Sequence, residues 1–181
     1  FMQKLKAQQL AADLGWMVQE DAGRGWRRLV PSPVPVEIIE MEAIRTLSQA
    51  GYIVVTCGGG GIPVIERSSG DLHGVEAVID KDFASSMLAC NLATDLFVIS
   101  TAVEKVAINH QGPDERFLDK VKVSEARKYH AQGHFAPGSM GPKIRAMIQF
   151  VEVTGKPGLI TDPANLGRGL RGQSGTHFSP D

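Results

Sequence analysis

Long apolar runs are missing from this chain of 181 residues. No stretch approaches the roughly 20 consecutive apolar residues that a bilayer-spanning helix needs, so no membrane segment is expected. No basic-plus-apolar leader precedes the first helical pattern. The chain opens on Phe1-Met2 rather than on a starting methionine, as a trimmed chain would. Cysteine is scarce: Cys57 and Cys90 stand in apolar surroundings without metal-type spacing. That excludes a disulfide scaffold and leads us to expect reduced core thiols in a cytoplasmic protein. Surplus charge is lacking as well. With 19 basic and 20 acidic residues the net charge is −1, which offers no electrostatic reason for nucleic acid or an acidic membrane as partner. The histidines His73, His110, His130, His134 and His177 form no metal-type pair, and Gly133 interrupts His130 and His134, so no protein-held metal site is assigned. Ser68-Ser69 and Ser85-Ser86 have no histidine near them in a hydrolase motif, which gives nucleophilic catalysis little support. Internal repeats and low-complexity tracts are absent too.

What is present is ordinary for a soluble globular protein: 43% hydrophobic and 22% charged residues, enough chain for one good core or two small lobes. Lys4 to Leu14 carries a short helical pattern (Leu5, Leu10, Ala11, Leu14) that Gly15 stops. Trp16–Gln19 and Trp26–Val30 read as two strands around the turn-rich connection Glu20 to Gly25. Pro31-Ser32-Pro33-Val34-Pro35 can be neither regular helix nor central strand. It divides a small N-terminal subdomain, residues 1–33, from the main body, residues 34–181.

In the body, helices and strands alternate. Glu37 to Ala50 predicts a helix with Ile39, Ala43, Ile44 and Leu47 inward, and Tyr52 to Cys57 a strand buried on both faces. The glycine run Gly58 to Gly61 follows. Arg67 to Asp71 predicts an exposed turn. Ala84, Met87, Leu88, Asn91 and Leu92 recur as the inward stripe of a helix. Leu96 to Ser100 predicts a second buried strand, Val103 to Ile108 a third, and Asn109 to Asp114 a loop. Ser124 is expected to cap a short helix ending near Gly133, and Ser139 with Pro142 to open a longer one carrying Ile144, Met147, Ile148 and Val151. Gly158 to Thr161 predicts a short central strand and Thr176 to Phe178 an edge strand. The fold class expected is α/β: an open, mostly parallel sheet with helices on both faces.

Ligands of such sheets collect at the carboxyl ends of the strands, where four features fall. The turn Gly58-Gly59-Gly60-Gly61 could bring backbone N–H groups close to an anion. It is neither a P-loop, since no Gly-Lys-Ser/Thr follows, nor a dinucleotide fingerprint, and a structural turn explains it equally well. Lys81-Asp82 opens one helix and Lys143 another. A cation in a first turn opposes the helix dipole unless an anion compensates, and the same anomaly occurs twice. If both ammoniums face one pocket, with Asp82 or a phosphate between them, the set suits phosphoryl transfer; two unrelated surface lysines are the bland alternative. The turn Thr101-Ala102-Val103 is the fourth feature.

Several longer stretches carry a resemblance. Asp21-Ala22-Gly23-Arg24-Gly25-Trp26-Arg27-Arg28 through Pro31-Ser32-Pro33 resembles the end of the protruding subdomain of carbamate kinases, in the amino-acid kinase superfamily. Cys57 to Ile65, Gly74 to Asp82, and His134 to Met140 with Pro142-Lys143 are similar to that family's later motifs, in the same order. The resemblance covers nearly the whole chain. It implies an amino-acid-kinase-like sheet and reversible phosphoryl transfer between ATP and carbamate, giving ADP and carbamoyl phosphate, with Mg²⁺, in a cytoplasmic homodimer. It implies that Lys81 and Lys143 stabilise the transferring group and that Asp82 orients them. It further implies that Thr101, Ala102, Val103 and Met140 line the nucleotide side, and that Gly58, Gly59 and Gly60 face the phosphate path. Departures exist: many relatives carry Asp where Ala102 stands, and some carry an aromatic at Ala107. The family's opening strand, its Gly-Gly-Asn loop and a further lysine have no counterpart here, so the resemblance is to the later, nucleotide-facing half. Two readings follow: the ATP-binding part of a carbamate kinase, or a nucleotide-binding or subunit-pairing fragment without turnover. An acyl-amino-acid kinase is disfavoured by the Asp-Ala-Gly-Arg-Gly and Pro-Gly-Ser-Met motifs.

Overall fold

The computed structural model describes residues 1–21 and 23–181; Ala22, in the expected connection between the first two strands, lies outside the described residues. In chain order the elements are α1 (Lys4–Leu14), β1 (Val18–Glu20), β2 (Trp26–Arg28), α2 (Met41–Gln49), β3 (Val64–Glu66), β4 (Leu72–Gly74), α3 (Lys81–Leu92), β5 (Phe97–Ser100), β6 (Val106–Ile108), β7 (Arg116–Leu118), β8 (Lys120–Lys122), α4 (Val123–Ala131), α5 (Met140–Thr154), β9 (Gly158–Thr161), α6 (Leu166–Gly169) and β10 (Thr176–Ser179). They divide into two compact units, Phe1–Pro33 with Ile62–Ile79, and Val34–Gly61 with Asp80–Asp181.

In the first unit, β1 and β2 pair antiparallel, Val18 opposite Arg28, and α1 ends on Gly15 at φ 66°. Ala7 is its buried residue, with Leu10 and Ala11 half-buried, whereas Leu5 and Leu14 face outward, so only part of the expected apolar stripe of α1 turns inward. The hairpin β3–β4 closes around the Arg67–Asp71 turn, where Arg67 N donates to Asp71 O. Val78 N donates to Pro31 O, and Arg28 pairs with Glu76. Those contacts tie Ile62–Ile79 to the first unit, where the sequence reading had given all of 34–181 to the body. A proline-rich boundary marks where the chain leaves a unit and carries no signal for its return.

The second unit is built on a four-stranded sheet of order β5-β9-β10-β8. β5 runs parallel to β9 (Phe97 opposite Gly158) and β10 parallel to β8 (Phe178 opposite Val121), while β10 runs antiparallel to β9 (Thr176 opposite Ile160). Two of the three pairings are parallel, so the sheet is mixed and mostly parallel. β9 is buried along its whole length, as a continuous apolar run demands. β10 is an inner strand, not the expected edge. Buried Thr176 shows why an edge reading fails: its Oγ1 donates to Leu118 O at 2.5 Å and accepts from Val106 N at 2.9 Å. This one hydroxyl clamps the hairpin β6–β7, which forms its own two-stranded sheet, whereas Val103–Ile108 had been expected to extend the main one. β7 and β8 had no signal in the sequence, because three-residue strands are too short to show a period.

The core joins Phe97, Ile99, Leu118, Phe135, Ile144, Met147, Phe150 and Ile160, with α5 as its central helix. α5 ends at Gly155, φ 65°. Its partner across the core is Gly158, where an added Cβ would lie 2.0 Å from Met147 Sδ. Met147 is wholly buried, so Gly158→Ala forces it aside. We expect a loss of about 1–3 kcal/mol, the usual range for overpacking, read by denaturant unfolding. A near-silent substitution would show that Met147 has another place to go.

Three expectations fail for one reason. Tyr52–Cys57 forms no strand, and Ile53 and Val55 are 98% and 94% exposed. In α2 only Ile44 is buried, with Ala43 and Leu47 exposed, and Ile39, which precedes the helix, is exposed too. In α3 the buried residues are Asp82, Ala84, Ser86 and Ala89, while Asn91 is exposed. An apolar run encodes a wish for neighbours, and burial follows only where a neighbour exists. Among the described residues no strand pairs with Tyr52–Cys57, whereas α3 meets α5 through its small residues. Cys57 and Cys90 are free thiols and both partly exposed; Cys90 packs against the core, whereas Cys57 is not part of it. α4 begins one residue before Ser124, its Glu125 carboxylate accepting from Lys122 N. Ser124 bonds Asp181 instead.

Candidate functional site

At the start of α3, Asp80 takes the N-cap position and its Oδ1 accepts from Asp82 N at 2.7 Å. That leaves the Asp82 carboxylate itself free to turn inward from the first turn. α5 starts after a tight loop in which Ala136 O accepts from both Ser139 N and Gly141 N. The carbonyl lies 3.0 Å from where a Gly141 Cβ would stand. Only a residue without a side chain lets this loop fold so close to the helix it launches, and Lys143 rides on that first turn.

The two helix starts meet. Lys143 Nζ donates to Asp82 Oδ2 at 2.9 Å, and Lys81 Nζ lies 3.9 Å from the same oxygen. The side chains of Asp82 and Lys143 are 8% and 13% exposed, while that of Lys81 is 59% exposed. One ammonium is therefore locked into a nearly dry ion pair and the other swings at the rim. Two ammoniums balance the carboxylates of Asp82 and of the capping Asp80, so the anion-attracting surplus at this place comes from the dipoles of two helix N-termini and from the Lys81 ammonium, which stands exposed at the rim. Such a place attracts an anion with several oxygens.

Beside it lies a cavity of about 430 Å³ whose lining includes Val103, Ala107, Phe117, Phe135 and Met140, with Lys105, Asn109, His110 and His134 supplying polar groups. Met140 lines the cavity and Lys143 holds the ion pair, three residues apart on α5, about 4.5 Å along the axis. Lys105 bonds Asp119 at 2.6 Å. That bond raises the Lys105 ammonium above its ordinary value and holds the Asp119 carboxyl below its own.

Of the residues singled out from the sequence, Lys81, Asp82 and Lys143 come together, and Val103 and Met140 share the cavity wall. Thr101 and Ala102 are not in that wall; Thr101 N extends the sheet by donating to Thr161 O at 2.9 Å. Gly58–Gly60 forms a turn of its own, closed by Gly60 N on Cys57 O at 2.7 Å. Asn109, His110, Phe117, His134 and Phe135 were missed. They reach the cavity through the β6–β7 hairpin, which no motif announces, and through the α4–α5 loop, whose stretch His134 to Met140 carries the family resemblance without marking His134 or Phe135 as wall residues. The donor set does not fit a protein-held Mg²⁺: among the described residues no group of three or more His, Cys, Asp or Glu converges, and Asp82 already faces two ammoniums.

Comparison with known proteins gives the arrangement its context. The family model described as "Amino acid kinase family" matches residues 1–162. The carbamate kinase of Thermococcus kodakarensis is 49% identical over 176 residues, covering 97% of this chain and 56% of that protein. The carbamate kinase-like protein YahI of Escherichia coli is 48% identical over 167 residues, 92% of this chain and 53% of that protein. Among solved structures, carbamate kinase from Giardia lamblia bound to AMP-PNP superposes with a TM-score of 0.89 at 45% identity, covering 100% of this chain and 57% of that one. The chain thus spans about half the length of the relatives it matches.

Proposed function

The chain belongs to the amino acid kinase family, and from that premise we propose that it supplies the ATP-binding half of a carbamate kinase, which moves a phosphoryl group between ATP and carbamate. The observation that carries this is the pair of ammoniums, Lys81 and Lys143, set on one oxygen of Asp82 at the joined starts of α3 and α5.

In this reading the base and ribose of the nucleotide occupy the cavity lined by Val103, Phe117 and Met140, and the phosphates run along the first turn of α5 toward Lys143. When the transferring group passes from carbamoyl phosphate to ADP, its bond to the carbamoyl oxygen breaks and a bond to the β-phosphate oxygen forms. Charge spreads over its outer oxygens, and fixed cations lower the barrier by stabilising that charge. Lys143, held by Asp82, is such a fixed cation. Lys81 is loose enough to follow the phosphate as it moves. Asp82 keeps the two ammoniums together against their mutual repulsion. Gly58–Gly60 as a phosphate-path loop, and Thr101 and Ala102 on the nucleotide side, are proposed on the resemblance alone. The same holds for a homodimer in the cytoplasm. Mg²⁺ is read as a companion of the nucleotide phosphates, not as an ion with a protein cage.

A second reading is favoured by the bare run Tyr52–Val55: a chain that binds nucleotide without turning it over. An exposed apolar run of this kind invites pairing with another chain. Titration of the chain with ATP, alongside a coupled assay for ATP formation from carbamoyl phosphate and ADP, separates the readings. We expect saturable ATP binding, lost in the Lys81→Ala/Lys143→Ala variant, and little or no turnover by this chain alone. ATP affinity equal in the wild type and the double variant would remove the lysines from the nucleotide site.

A further inference from the structure

We propose that Ser86 is a positioning residue for the Asp82–Lys143 pair: it fixes the axial register of α3 on α5 and thereby sets where the locked ammonium stands. The role of that ammonium rests on the nucleotide reading above; the register argument does not.

Ser86 is 0% exposed, and its Oγ donates to Ala146 O on α5 at 2.8 Å. It lies four residues after Asp82, and Ala146 lies three after Lys143, so this bond sits about one turn beneath the ion pair. Asp82, Ser86 and Cys90 stand one above another, four residues apart, as a polar file down the face that also buries Ala89. Burial pushes the Cys90 thiol above its ordinary value, and the neighbouring Ser86 hydroxyl partly offsets that. Among the described residues, the Ser86 bond and the Asp82–Lys143 pair are the hydrogen bonds that cross from α3 to α5.

Small apolar side chains let two helices slide by fractions of an ångström at little cost. A buried hydroxyl does not, since hydrogen bonds weaken steeply with distance and angle and an unmet buried donor is costly. A single register satisfies both crossings at once. Ser86 touches no substrate in this scheme and acts through Lys143.

The test is the reactivity of Lys143 toward an acetylating reagent, measured lysine by lysine by mass spectrometry on the intact chain. In the wild type, Lys143 should label slowly and exposed Lys120 fast. Ser86→Ala should speed Lys143 labelling by about 3- to 10-fold, the span set by losing one hydrogen bond, and leave Lys120 unchanged. Ser86→Cys, which keeps a weaker donor of similar size, should fall between them; it also carries the test should Ser86→Ala fail to fold. Ile160→Val, a core substitution that leaves the hydroxyl intact, controls for general loosening and should leave Lys143 at its wild-type rate. A wild-type Lys143 rate in the Ser86 variants, or equal acceleration in the Ile160→Val control, overturns the proposal. Failure of the wild type to bind ATP would sink the nucleotide reading while the labelling result still decides the role of Ser86.

Discussion

Replacing Lys143 by Ala in the completed enzyme should lower the rate of phosphoryl transfer by about 10²–10³-fold, the usual effect of removing a group that stabilises developing charge. The loss should fall on kcat more than on nucleotide affinity. A fixed cation acts where charge develops, and interactions stronger in the transition state than in the ground state are what speed the chemical step. Lys81→Ala should be as slow or nearly so, with a larger share of the loss in binding, because its side chain is mostly exposed and pairs with the carboxylate only at 3.9 Å. Steady-state kinetics with ATP and carbamoyl phosphate as alternate starting points reads both. Normal turnover with both lysines removed would end the phosphoryl-transfer reading of this site.

The second large effect concerns folding. Asp82→Ala strands the Lys143 ammonium in a pocket that leaves it 13% exposed. Breaking one side of a buried pair costs about 3–5 kcal/mol, more than the pair itself contributes. Denaturant unfolding should show that loss. The variant Asp82→Ala/Lys143→Met should recover most of it, since replacing both charges by apolar atoms removes the unpaired ion. The double variant should be stable and inactive, which separates what the pair does for the fold from what it does for the reaction. Equal stability of Asp82→Ala and the wild type would mean that Lys143 escapes to water and is not locked.

Much of the second unit was readable from residue pattern. β5, β9 and α5 carry long apolar signals and stand where expected, and the meeting of Lys81 and Lys143 over Asp82 follows from two cations placed against two helix dipoles. What could not be read depended on neighbours. Tyr52–Cys57 has the composition of a buried strand, yet Val55 and Ile53 lie bare because the described chain places no strand beside them. The face of α3 was misread because its partner α5 selects small and polar residues, Asp82, Ser86 and Ala89, over the larger Met87 and Leu88. Beyond Val103 and Met140, the cavity wall escaped notice for a third reason. Asn109, His110 and Phe117 belong to a hairpin of three-residue strands held by a single hydroxyl, that of Thr176, and periodicity has nothing to say about a contact made across seventy positions of chain.

The unequal freedom of the two ammoniums has a thermodynamic consequence. A lysine carries about 2 kcal/mol of rotamer entropy. Lys143 surrendered its share when the chain folded; Lys81 still holds most of its own. In the proposed reading, arrival of a phosphate stills one long side chain rather than two, and preorganisation of the first makes tight capture compatible with a second arm that can let go.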